Sequence, residues 1–248
     1  MKVYATYNIK GGVGKTATAV NLAYTAREAG ERVLLWDIDP QGSASFYFRV
    51  KPKVKGGGAA LVKGRRDLSD VIKASEFEGL DIVPGDFSYR KFDLLLAAVG
   101  KPHAKFRKLL REVEGEYDTV FIDCPPSISL ASETVFRAAD ALLVPLIPTT
   151  LSLRTYEQLD EFLADNRDIT RGLQVLSFFS MADNRKRLHR ELMEQLRAER
   201  PEILQTVIPA SSDVERMGVH REPVGAFSPS GRAARYYRDL WNEIRAQD

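Results

Sequence analysis

A short apolar run at residues 3–7 gives way to Lys10-Gly11-Gly12-Val13-Gly14-Lys15-Thr16, after which residues 15–29 repeat apolar side chains at helical spacing until Gly30. Strand, glycine-rich turn and helix, in that order, constrain this chain more than any other segment does. The three glycines let the backbone turn its N–H groups inward with no Cβ in the way, at the N-terminus of the following helix. A turn of that kind binds phosphate oxygens. Gly11, Gly12 and Gly14 would cradle the phosphates of a nucleotide, Lys15 would neutralise the β- and γ-phosphates, and Thr16 would offer a hydroxyl to Mg²⁺. The loop lacks the first glycine of the usual G-x-x-x-x-G-K-[ST] pattern and carries Lys10 ahead of its glycines. Nucleotide binding alone does not require that second cation.

The alternation continues along the chain. Residues 32–38, 80–83, 119–122, 141–146, 173–179 and 206–208 read as strands, and residues 151–166, 187–200 and 231–245 as helices. Strands that are apolar throughout, separated by amphipathic helices, predict an α/β fold: a mostly parallel twisted sheet covered by helices on both faces. Functional residues then gather at the carboxyl ends of the strands. One domain over residues 1–248 is expected, with a flexible Lys- and Gly-rich surface loop at about 49–66. The longest apolar runs, such as residues 138–148, are too short to cross a bilayer, and the first twenty residues carry no secretory pattern, so a cytoplasmic location is expected. Cys124 is the only cysteine, which excludes an internal disulfide and reads as a buried small apolar group.

Two further segments bear carboxylates at strand ends. Residues 33–41 put Asp37 and Asp39 on alternate positions, facing the same side while a strand lasts, where they can hold Mg²⁺ through water or orient an attacking water. Residues 119–123 form an apolar strand ending in Asp123, as a Walker B element does, with that carboxylate near the metal.

With K-G-G-V-G-K-T at 10–16, D-I-D-P-Q at 37–41 and F-I-D-C-P-P-S at 121–127, the chain resembles the ParA/MinD group of deviant Walker ATPases, and more closely its ParA/Soj branch. Weaker matches at residues 82–84, 180–188, 207–209 and 223–237 extend the resemblance over nearly the whole chain. It implies a P-loop NTPase fold and an ATPase that uses ATP and Mg²⁺ and forms an ATP-dependent homodimer. Lys10 would reach across the interface to the partner's nucleotide, Asp39 would orient the hydrolytic water, and Asp37 and Asp123 would lie around the magnesium with Thr16. Val13, Ala17 and Pro209 join the expected nucleotide contacts. The charges agree, because two facing ATP-Mg²⁺ units remain net negative and a lysine from each subunit reduces this on both sides of a symmetric interface.

The resemblance further implies non-specific DNA binding by the ATP dimer, hence nucleoid association, and a partner protein that stimulates hydrolysis. The formal net charge of +2 does not itself argue for nucleic acid, so the distribution of charge decides. Basic clusters occur at 51–66, 185–190 and 232–238; Arg185, Lys186, Arg187 and Arg190 fit a phosphate-contacting face. Where relatives carry an arginine-bearing R-N-V-R-L-S-E-A stretch, residues 210–217 read A-S-S-D-V-E-R-M, leaving Arg216 and Arg221 as substitutes. Two rivals remain in view. A MinD-like membrane-surface ATPase would use the stripe of Tyr236, Tyr237, Leu240, Trp241 and Ile244, although a core-packing helix reads better there. A P-loop metabolic kinase or synthetase would need an acceptor pocket for which no motif stands out, and one cysteine excludes a cluster shared between subunits.

Overall fold

The computed structural model describes residues 1–247. In chain order the elements are β1 (Lys2–Thr6), α1 (Lys15–Glu28), β2 (Val33–Asp37), α2 (Ser43–Tyr47), α3 (Gly57–Val62), β3 (Lys73–Ala74), β4 (Leu80–Val83), α4 (Phe92–Ala97), α5 (Pro102–Arg111), β5 (Thr119–Asp123), α6 (Leu130–Phe136), β6 (Ala141–Leu146), α7 (Thr150–Asp165), β7 (Gln174–Ala182), α8 (Arg187–Glu199), β8 (Val207–Pro209), α9 (Ser212–His220), α10 (Val224–Phe227) and α11 (Arg232–Arg245). The eight strands make one sheet in the order β3-β4-β2-β5-β1-β6-β7-β8. Every pairing is parallel except that of the two-residue β3 with β4.

Successive strand residues point to opposite faces, so each apolar strand serves two cores at once. Val3, Ala5, Leu34, Trp36, Val120, Ile122, Leu142 and Val144 enter the core shared with α3 to α8. Tyr4, Val33, Leu35, Phe121, Leu143 and Phe178 enter the other, against α1, α2, α9, α10 and α11. Tyr4 packs between Phe121 and Trp241, with ring centroids 5.5 Å from each. Tyr237, Leu240, Trp241 and Ile244 of α11 are all buried there, so the apolar stripe of the last helix lies in the core and not on a free face.

The segment expected as a surface loop at 49–66 instead holds α3. Gly56 ends the preceding turn at φ 84°, and Ala60, Leu61 and Val62 are buried behind it. Gly58 explains why the sequence hid this helix, since a Cβ there would lie 2.7 Å from the Tyr89 ring. Glycine permits that close approach, and on composition the same residue signals a loop. β7 also runs to Ala182, beyond the expected end at 179, because a bulge at 180–182 shifts its register on β8.

Candidate functional site

β1, β2, β5, β7 and β8 all end at one edge of the sheet, and the residues that follow them enclose a cavity of about 390 Å³. Gly11, Gly12, Gly14, Lys15, Thr16 and Ala17 form one wall. Asn8 latches this loop to the sheet: its Nδ2 donates to the Pro145 carbonyl at 2.9 Å and its Oδ1 accepts from the Lys10 N–H at 2.9 Å. Gly14 caps α1 at φ 95°, and a Cβ there would also meet Ser180 Oγ at 2.9 Å, so glycine is required on both counts.

The two lysines of the loop behave differently. Lys15 is buried and its ammonium donates to the Lys10 carbonyl at 3.0 Å, tying the loop from within. Burial lowers its pKa, while Asp123, Cys124 and Asp39 pull it back up. The Lys10 ammonium lies away from the cavity, 3.4 Å from Ser152 Oγ in the first turn of α7. Val13 is buried under the loop and does not line the cavity.

β2 and β5 lie side by side with Asp37 opposite Asp123, and neither residue has solvent exposure. Asp37 Oδ2 accepts from the Ser45 N–H at 2.9 Å and from its hydroxyl at 2.8 Å, and Ser45 Oγ in turn accepts from the Gly85 N–H at 2.8 Å. Asp123 Oδ1 accepts from Thr6 Oγ1 at 3.2 Å, whereas its buried Oδ2 has no partner. Burial raises both carboxyl pKa values; the nearby Asp37 charge pushes Asp123 further, against the lowering effect of Thr16 and Lys15. Alternation predicts that Asp37 and Asp39 share a side while the strand lasts, but β2 stops at Asp37 and Asp39 lies beyond it. Asp37 closes the floor, while Asp39 lines the cavity, its Oδ1 capped by the Gln41 N–H at 2.9 Å.

An orphaned carboxylate oxygen beside a second buried acid fits a hard divalent cation bound by oxygen. Among the described residues no cluster of three acid, His or Cys side chains would hold a metal unaided. That suits Mg²⁺, which keeps several waters and takes further oxygens from phosphate.

Ser43, Tyr47, Ser180, Met181, Ser211 and Glu215 also line the cavity and carry no local sequence signal, whereas Pro209 lines it as expected. Ser45 and Gly85 hold the floor from far apart in the chain, at separations from Asp37 with no periodicity to read. Met181 sits in the β7 bulge at φ 53°. The departure at 210–217 has a local purpose: Ser211 caps α9 by accepting the Asp213 N–H at 3.2 Å.

The expected basic face begins just past the bulge. Arg185 is 92% exposed but forked onto Asp183, with both contacts at 3.0 Å. Arg187 pairs with Glu191 at 2.6 Å, Lys186 precedes α8, and Arg190 donates to the Asn184 carbonyl at 2.6 Å. Arg216 is exposed on α9. Arg221 is not a free substitute, because its guanidinium lies 4.6 Å from the Phe46 ring centroid and donates to the Phe46 carbonyl.

A family model described as AAA domain (AAA_31) matches residues 1–174. Sporulation initiation inhibitor protein Soj of Bacillus subtilis is 30% identical over 249 residues, covering 99% of this chain and 98% of that protein. The chain is also similar to a cobyrinic acid a,c-diamide synthase from Mycobacterium smegmatis solved with ADP and magnesium, with TM-score 0.82 and 26% identity over 98% of this chain and 93% of that one. A Cyanothece McdA variant solved as an ATP complex shares the fold, with TM-score 0.85 at 19% identity over 98% of this chain and 96% of that one.

Proposed function

We propose, for a chain that belongs to the AAA_31 family and within it to the ParA/MinD group of P-loop ATPases, that it works as an ATP-gated dimer that hydrolyses ATP to ADP and phosphate. ATP occupies the cavity with its phosphates against Gly11, Gly12 and Gly14, Lys15 on the β- and γ-phosphates, and the nucleoside towards Pro209. Thr16, Asp37 and Asp123 hold Mg²⁺, which neutralises phosphate charge when bound. Asp39 orients the hydrolytic water and accepts its proton. Lys10 of each protomer faces the partner's phosphates, so γ-phosphate loss removes the reason for the protomers to stay together.

The carrying observation is the division of labour between the two lysines. Lys15 is held inside the loop by the Lys10 carbonyl, while the Lys10 side chain stays outside its own cavity. A cation left out of its own phosphate site is available to a second one. The ATP dimer binds DNA through its phosphates, by Arg185, Lys186, Arg187, Arg190 and Arg216, and so associates with the nucleoid and positions a cargo there. A stimulatory adaptor protein sets the hydrolysis rate. No described helix is long and apolar enough to cross a membrane.

The test is solution mass by light scattering for Asp39→Ala with ATP, with ADP and without nucleotide, followed by DNA retention of the same samples across a salt series. A stable dimer of the 27.8 kDa chain that retains DNA only with ATP is expected. A monomer in all three states overturns the gated dimer, and equal retention in all three overturns the DNA switch. ATP consumption that requires a small-molecule phosphate acceptor would favour a synthetase instead.

A further inference from the structure

Outside the phosphate loop, a cluster of lysines without ion pairs among the described residues lies a few residues after α2. Lys51, Lys53 and Lys55 occupy every second position of the turn-rich segment before α3, and Lys73 opens the edge strand β3 beside them. The four surround a cavity of about 270 Å³ floored by Val71 and Ile72.

Their backbone is fixed. Pro52 packs on Gly42, where an added Cβ would meet the proline Cβ at 2.7 Å. Val54 is buried, and its N–H donates to Asp86 Oδ2 at 2.7 Å. The Lys53 N–H donates to the Lys51 carbonyl at 2.8 Å, closing a tight turn at Pro52, and Lys51, Lys53 and Lys55 are all exposed. Lys73 is anchored too, its ammonium donating to the Lys51 carbonyl at 3.0 Å and the Lys53 carbonyl at 2.9 Å, which leaves one of its three protons unused by the protein.

Four cations held this close repel one another, and Asp86 offsets part of that repulsion at Lys53 and Lys73. None of the four makes an ion pair among the described residues. Asp70 lines the cavity but faces Arg66 at 3.7 Å and accepts the Asp67 N–H, and Asp86 accepts the N–H groups of Val54 and Ser88. Burial and the Lys51 charge together lower the Lys73 pKa, with Asp86 opposing them. Arg185 and Arg187 present the opposite case, each neutralised by a neighbouring carboxylate. Exposed cations are ordinarily dispersed or matched in this way.

We infer that Lys51, Lys53, Lys55 and Lys73 form a second anion site, separate from the phosphate loop, that takes a compact oligophosphate. Its concave shape favours a small ligand, because charges converge on it from two chain segments and do not form a track along a surface. The several charges of an oligophosphate match several ammonium groups, and lysine serves phosphate as a point charge.

Inorganic tripolyphosphate is the probe, titrated calorimetrically without metal into the wild type, Lys15→Ala, Lys51→Gln/Lys73→Gln and Lys63→Gln. Lys63 lies in the same basic stretch but outside the cavity. Thermal melts establish that each variant is folded. The expected result is saturable binding that persists in Lys15→Ala and Lys63→Gln and weakens by about tenfold or more in Lys51→Gln/Lys73→Gln. Loss in Lys15→Ala overturns the inference by placing the ligand on the phosphate loop. Equal weakening in Lys63→Gln and the double variant reduces the effect to net charge and overturns it as well. So does a thymidine oligonucleotide that binds through Lys51 and Lys73 where tripolyphosphate does not, because the surface is then a strand track.

Discussion

Asp37 and Asp123 stand opposite one another on adjacent parallel strands, both fully buried, and one carboxylate oxygen of Asp123 has no hydrogen-bond partner. Two like charges in such a position destabilise the empty protein, and a bound cation would relieve them beyond what the Ser45 hydrogen bonds to Asp37 and the Lys15 charge near Asp123 supply. The floor of the site is therefore tuned for what binds above it. Lys15 and Lys10 complete the electrostatics, one from inside the loop and the other from its outer side.

That difference between the lysines can be read out directly. Lys10→Ala keeps the backbone carbonyl that holds Lys15, so ATP affinity should stay within about threefold of wild type, while ATP-dependent dimerisation is lost. Lys15→Ala removes a charged contact to phosphate and the tie within the loop, a cost of about 2–3 kcal/mol, or roughly 30- to 150-fold in affinity. Calorimetry for ATP and light scattering for mass separate the two effects. Equal loss of ATP binding in both variants would return Lys10 to its own nucleotide.

Gly85→Ala probes the loop that carries Asp39. A Cβ at this position would lie 2.6 Å from Gly42 Cα and 3.0 Å from both Asp37 Oδ2 and the Asp39 carbonyl, and the backbone atoms among these cannot rotate away. Overpacking should cost about 1–3 kcal/mol, which for a chain of this length lowers the melting temperature by roughly 2–4 °C per kcal/mol. Hydrolysis should fall more than ATP binding, because the displaced atoms include the backbone of Asp39, the residue proposed to orient the water. Gly11→Ala, whose Cβ meets nothing within 4 Å, should leave the melting temperature unchanged.

These positions mark the limit of what the sequence discloses. The strand ends and the phosphate loop were legible because each is a local pattern: an apolar run, a turn residue, a charged side chain at a fixed offset. Parallel sheet order brings their ends to one edge, so Gly11, Thr16, Asp39 and Pro209 meet at one cavity although they are scattered along the chain. Ser45, Gly85 and Glu215 were not legible, because each enters the site through a tertiary contact that no spacing encodes. α3 was hidden because the glycine that lets it pack on Tyr89 looks, in composition, like a loop residue.

For DNA, the intramolecular partner of Arg185 matters as much as the arginine. Asp183 accepts from both its Nε and its Nη2, and this hydrogen bonding to Arg185 holds the Asp183 carboxyl well below its ordinary range, at about 2. Asp183→Asn should free the guanidinium, tightening non-specific DNA binding and steepening its salt dependence. Arg185→Glu with Arg187→Glu should weaken binding and flatten the slope by up to about 1.8, at about 0.9 for each phosphate no longer neutralised. Retention across a salt series reads both effects. An unchanged slope in both variants would put the DNA surface elsewhere.

The paired carboxylates supply a pH test on the metal-free protein. Burial raises the folded pKa of both, and of Asp123 to about 8, above the unfolded carboxylate value of about 4. A group raised in this way favours the protonated folded form, so its stabilising effect is complete below about pH 4 and is lost as pH rises through the folded value. In EDTA the wild-type melting temperature should therefore fall between about pH 5 and pH 8, on the scale set by those shifts. Asp123→Asn keeps the oxygen that accepts from Thr6 and removes the second charge. It should flatten that dependence and raise the metal-free melting temperature at about pH 8 by a few degrees, corresponding to about 1 kcal/mol or more. Nucleotide with Mg²⁺ should then stabilise the wild type far more than the variant. A wild type with no pH dependence in EDTA, or a variant destabilised at the same alkaline pH, would mean that the two acids are relieved by something within the protein.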